Sequence, residues 1–184
     1  MKETLSSAAQ IQFDTLPTKK QRLAMEAYQI GVITIRNLAD EKVIDQFEDD
    51  LEVAAHETGH QIVAEEEGYQ TSASIIPEGS SRGHMRMIGR VFNFGRNFLD
   101  DLRGQVKIAF AGGVGAEFMG FTPRGLSSDI GHARFYARVV SMLSNTSKEG
   151  IEMDGSIAAR GSIFRIGMSG FRARVHRLVK QKQV

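Results

Sequence analysis

Residues 56–60 read His-Glu-Thr-Gly-His, and no other stretch constrains the chain as much. Positions four apart on an α-helix lie on one face, a turn above each other. If 56–60 is helical, both imidazoles point the same way and can share one metal ion. Val53, Val63 and Ala64 flank that face, while Leu51, Ala55 and Ile62 line another. A helix that is apolar on two sides is buried, and buried imidazoles need partners. The spacing predicts this helix from about Asp49 to Glu67, with Gly68 at the position where helices commonly stop.

The chemistry follows from the geometry. A catalytic zinc ion typically takes three protein ligands and keeps one position open. His56 and His60 would supply two of them. Glu57 projects about 100 degrees round the helix from His56. Its carboxylate would therefore stand beside the metal, within reach of a water whose proton it could take. The pattern points to metal-assisted amide hydrolysis, with Glu57 as the catalytic base. Gly59 would let a neighbouring element approach closely. The chain has no cysteine, so zinc fingers, iron–sulfur sites and disulfides are excluded. A third ligand must be His, Asp or Glu. Asp129 lies near the start of a predicted helix, in phase with Ala133, Tyr136, Val140 and Leu143. An acid in a first helical turn also favours the macrodipole on its own account. Glu117, near the end of another apolar helix, competes as a ligand or supporting acid. His84 and His132 are weaker candidates.

Around this motif the chain reads as α+β, mainly helical, with helices about one small hairpin. Residues 1–16 are polar and without period, a flexible arm. Pro17 opens a helix carrying Leu23, Ala24, Ala27, Ile30 and Ile35. Two β-prone runs, TSASII and HMRMIGRVFNF, flank PEGSSRG and predict a hairpin with a long loop. Leu99, Leu102, Val106, Ala109, Phe110, Val114 and Phe118 mark a helix from Asn97, and a further helix runs from about Ser128 to Leu143. Residues 17–150 make one domain and 151–184 a short extension with a basic tail. Gly112, Gly113 and Gly115 lack dinucleotide-fingerprint spacing and read as close helix packing. Glu65, Glu66 and Glu67 read as a solvated helix end, and the tail as a solvated terminal helix. Net charge is +1, which gives no argument for nucleic acid. No signal-peptide core and no apolar run of about 18 residues is present, so a cytoplasmic protein without an integral membrane segment is expected. There is no Walker-type loop.

Four motifs in order, HETGHQIV, ASIIPEG followed by RGHM, FAGGVGAEF, and GLSSDIGHAR entering a helix, resemble the peptidase domain of the FtsH family of membrane-anchored AAA+ zinc proteases. The family patterns are HEAGH, a TIIPRG-type hairpin, an AGRAAEE-type helix and a GASNDL-type turn. The match covers about residues 49–143. The resemblance implies a zincin-like fold, with Zn2+ held by His56, His60 and Asp129 and with Glu57 as base. It implies polypeptide substrates, with the TSASII strand as the edge that pairs with extended substrate. The family's ATPase and transmembrane parts are absent, Ala116 stands where a paired acid is usual, and Ser128 replaces an Asn. These differences point to flexible or unfolded substrates, or to a separate ATPase partner, and away from a hexameric ring in favour of another homo-oligomer or none. Two alternatives share the motif: a small zincin that cuts one regulatory protein, and a silent binding module.

Overall fold

The computed structural model describes residues 6–79, 81–90, 97–124 and 126–183. Its order is α1 (Ser7–Thr15), α2 (Thr18–Gln29), a 3-10 turn (Ile35–Asn37), α3 (Glu41–Glu66), β1 (Tyr69–Ser74), β2 (His84–Arg90), α4 (Phe98–Phe118), α5 (Ser127–Leu143) and α6 (Lys148–Gln181). The fold is mainly helical with one two-stranded antiparallel sheet, as expected in outline. Among the described residues, no helix is long and apolar enough to cross a membrane.

The long helix α3 is the axis of the molecule. Asp40 caps it by accepting from the backbone N–H groups of Lys42 and Val43. It therefore starts well before Asp49. Ile44, Phe47 and Leu51 form its buried stripe there, spaced among charged residues that mask it in the sequence. Gly68, at φ +89°, ends it and turns the chain into β1. β1 and β2 pair from Tyr69↔Arg90 to Ser74↔His84, with an irregularity at Gln70/Thr71. The expected continuation of the second strand into 91–94 lies outside the described residues.

Helix α4, capped by the Asn97 side chain, crosses α3 with the two backbones touching. A Cβ on Gly59 would stand 2.2 Å from the Ala111 carbonyl oxygen, and one on Gly115 would stand 2.4 Å from that of Ala55. The close-packing reading of both glycine sites holds. Helices α5 and α6 then cover the remaining sides of α4. Ala159, Ile163, Phe171, Val175 and Val179 of α6 are fully enclosed. Gly167, at φ 74° and ψ 160°, breaks α6 and redirects its second half.

Several expectations need correction. Ser7–Thr15 is a helix capped by Ser6, where an irregular arm was expected; residues 1–5 lie outside the described set. The helix after Pro17 stops at Gln29, and Gly31 at φ +76° sends Ile35 into the 3-10 turn. The boundary at 150/151 falls inside α6, whose buried residues belong to the same core as α3 and α4, so 151–184 is no appendage. The basic tail and the acidic triplet answer each other. Arg174 pairs with Glu65 at 2.7 Å, Arg165 with Glu66, and Lys107 with Glu67 at 3.1 Å, and Glu67 is buried. Lys182 reaches Asp50 at 2.7 Å. Glu26 on α2 holds both Arg172 (3.0 Å) and His176 (2.6 Å).

Two outcomes follow for stability. Gly59→Ala should cost about 1–3 kcal/mol by overpacking, whereas Gly131→Ala, whose Cβ would meet nothing within 4 Å, should be neutral or gain about 0.5–1 kcal/mol. Urea denaturation of both variants checks the contrast. The hydrogen bond with His176, aided by the Arg172 charge, outweighs desolvation and holds the Glu26 carboxyl below its usual range. A depressed carboxyl contributes stability that is present above the unfolded pKa and lost as pH falls through the folded one. Wild type should therefore lose Tm faster than Glu26→Gln between about pH 5 and pH 3.

Candidate metal centre

Three side chains from two helices meet at one point. His56 Nε2 lies 3.1 Å from His60 Nε2. Asp129 Oδ2 lies 3.0 Å from His56 Nε2 and 3.3 Å from His60 Nε2. A tetrahedral ion with bonds of about 2.0–2.1 Å sets its ligand atoms roughly 3.3 Å apart. The observed triangle therefore has edges close to those such an ion requires. These residues form a group able to hold a metal ion.

The local structure explains each position. His56 and His60 share a face of α3, one turn apart, as the sequence predicts. The Nδ1 of His60 donates to the backbone carbonyl of Ile108 on α4 at 2.7 Å. A carbonyl can only accept, so the neutral ring carries its proton on Nδ1 and presents a lone pair at Nε2. Asp129 sits in the first turn of α5. Neither Ser127 nor Ser128 caps that helix; Leu126 holds the cap position without a side-chain bond. Beneath the cluster, a Cβ on Gly112 would stand 2.4 Å from His60 Nε2 and 2.6 Å from His56 Nε2. Only a glycine leaves the two nitrogens room to converge there.

The electrostatics describe a site built around positive charge. Burial alone would raise the Asp129 carboxyl, but hydrogen bonds from His56 and His60 outweigh it and hold the group far below the carboxylate range. For His60, burial opposes the charged ring, yet the hydrogen bond and charge of Asp129 win and raise it. A carboxylate and two imidazole nitrogens facing one point need a proton or a cation between them. A divalent cation satisfies all three at once, and binding it releases the proton. The donor set, two imidazoles and one carboxylate, suits a borderline ion such as zinc.

Glu57 is buried beside this cluster. Burial pushes its carboxyl above the ordinary range, against the opposing charges of His60 and His56. A cleft of about 430 Å3 opens over His56, Glu57, His60 and Asp129. A second lobe of about 520 Å3 shares His56, Glu57 and Ser128 with it and runs on past Arg82 and Arg124. His56 and Glu57 thus line both cavities, while His60 and Asp129 line the first.

The remaining candidates fall elsewhere. Glu117 is outside the cluster and pairs with Arg160 at 2.7 Å, so it is not an alternative ligand in this arrangement. His84 and His132 line the cleft without joining the ligand triangle. The strand along the cleft is β2, through His84, Met85 and Met87, and not the TSASII strand β1. Sequence reasoning missed the Ile108 carbonyl and the role of Gly112. A backbone acceptor leaves no signature in residue type. Gly112 did carry one, as a glycine inside a strongly apolar helix.

With Co2+ as a spectroscopic probe, wild type should bind one equivalent. Asp129→Ala and Gly112→Ala should each weaken binding by at least about 100-fold, while Gly131→Ala binds as wild type. Equal affinity in all four proteins would contradict the centre. No protein-family model matches the chain, and no curated protein matches it in sequence.

Proposed function

We propose that this chain is a zinc-dependent metalloendopeptidase of FtsH-like type, hydrolysing flexible or unfolded polypeptides. The observation that carries the reading is the convergence of His56, His60 and Asp129 within 3.0–3.3 Å, with the buried Glu57 carboxylate in the same cleft. The motif order set out above supports it. When bound, zinc would supply a Lewis acid that polarises a carbonyl and acidifies a water.

The chain's own residues do the rest. His56, His60 and Asp129 would hold the ion, and the Ile108 carbonyl fixes the His60 ring. Glu57 accepts a proton from the attacking water and returns it to the amide nitrogen as the C–N bond breaks. Its raised affinity for protons suits both transfers. The groove continues on both sides of Glu57, which fits a chain running through the site better than a chain end. The outer edge of β2 offers the backbone along which an extended substrate would lie.

Glu57→Gln is the direct test. The variant should keep its zinc, measured by elemental analysis, while hydrolysis of labelled casein falls by about 10²–10⁴-fold. Undiminished cleavage by the variant would remove Glu57 from its role, and zinc-free wild type that cleaves casein would end the metallopeptidase reading.

A further inference from the structure

The cleft holds an imidazole that the ligand set does not use. His84 opens β2 and lines the cleft wall together with Glu57, His56 and Asp129. It is placed there by its neighbour. Gly83 is buried against α3, where a Cβ would stand 2.6 Å from Val53 Cγ1 and 3.1 Å from Glu57 Oε1. No side chain fits between that backbone and the Glu57 carboxylate. The first residue of β2 is therefore held beside the base, close enough for the His84 charge to act on Glu57.

The two nitrogens of His84 have different surroundings. Nδ1 is shielded from solvent, has no hydrogen bond, and faces Glu78 Oε2 at 3.5 Å. Glu78 is in turn held by Arg86, two residues further along the same strand. A small inward movement of Glu78 would complete an Nδ1–H to carboxylate bond. The carboxylate on the Nδ1 side sets which way the ring faces. The ring as a whole is 26% exposed, and Nε2 takes part in no hydrogen bond among the described residues. It is the nitrogen left for the cleft. His132 also lines the cleft, but it is exposed, and among the described residues no carboxylate is paired with it to orient its ring.

We infer that His84 is a further catalytic residue of the proposed peptidase: its Nε2–H donates to the scissile carbonyl oxygen as that oxygen gains charge, and Glu78 is the positioning residue behind it. The step balances without another reactant. Water oxygen bonds to the carbonyl carbon, the carbonyl π pair moves onto oxygen, and the water proton goes to Glu57. His84 stabilises the charged oxygen and keeps its proton. The pair then returns to re-form the carbonyl, the C–N bond breaks, and Glu57 protonates the leaving nitrogen.

This inference rests on the metallopeptidase reading, and the test separates the two. Zinc-loaded wild type, Glu57→Gln, His84→Leu, His84→Gln and Glu78→Gln are compared on fluorescein-labelled casein, with zinc content and Tm measured for each. His84→Leu should keep one zinc and its Tm, hold KM within about twofold, and lose about 10²–10³-fold in kcat. His84→Gln, which retains a donor, should recover part of the loss, and Glu78→Gln should show a smaller one. An unchanged kcat in His84→Leu, with wild type active and Glu57→Gln inactive, overturns the His84 role alone. A change confined to KM makes His84 a wall of the groove, and loss of zinc makes it part of the metal site; both also overturn the inference. If His84→Leu does not fold, His84→Gln against wild type decides by the same kcat criterion. Zinc-loaded wild type that cleaves nothing removes the hydrolase reading and this role together.

Discussion

The crossing of α3 over α4 is made by two glycines, and the site depends on it. With Gly59 and Gly115 facing each other, backbone meets backbone, and a Cβ on either would intrude to within 2.4 Å of a carbonyl oxygen. That approach does more than fill the core. It brings the Ile108 carbonyl to the His60 ring and slides Gly112 beneath both imidazole nitrogens. Interiors are packed too densely to absorb a lateral shift of a whole helix. A looser crossing would move Ile108 away from His60 and leave the tautomer of the ring unset. Helix packing and metal-site geometry are one constraint here, met by the same few residues.

On that platform the third ligand comes from a different part of the chain and by a different principle. Asp129 is not held by a cap motif. It projects from the first turn of α5, where exposed backbone N–H groups favour a carboxylate. Its depressed proton affinity and the elevated one of His60 are two views of one interaction, the demand of three acceptors for positive charge. The buried Glu57 shifts the other way because it faces no such demand directly, and desolvation dominates. One small cleft thus holds a carboxylate kept ionised and a carboxylate inclined to take a proton. In the proposed function that difference separates a ligand from a base.

How much of this was legible in the sequence depends on how local each feature is. The 56–60 spacing specified two members of the candidate metal triad, the acid buried beside them and the helix that carries all three, because helical periodicity is a property of neighbouring residues. From its own neighbourhood Asp129 was visible only as an acid in phase with an apolar stripe, and the resemblance of GLSSDIGHAR singled it out. Glu117 looked comparable, because nothing local records that Arg160 would arrive beside it from α6. The start of α3 was hidden by the acids interleaved with Ile44, Phe47 and Leu51. The basic tail read as solvated because its partners, Glu26, Asp50, Glu65 and Glu66, lie more than a hundred residues earlier, except for the pair that reaches Glu66 from Arg165 at nearly that separation. Helix ends set by glycines, such as Gly68, were legible, whereas contacts between distant segments were not.

The choice of β2 over β1 as the cleft strand carries the last step. Both strands of a two-stranded sheet have a free edge, so pairing alone gives no preference between them, and the family resemblance pointed to TSASII. The preference comes from Gly83. As the residue before β2, it lies buried on α3 against Val53 and Glu57, and it pins the start of that strand to the base. β1 leaves α3 through Gly68, at the far end of the helix from Asp40, and pairs with β2 on the other side. The start of β2 therefore lines the cleft beside Glu57. Under the proposed peptidase function, an extended backbone aligned on β2 would lie beside Glu57 and the His56–His60–Asp129 cluster, whatever its side chains, as recognition through main-chain hydrogen bonds allows.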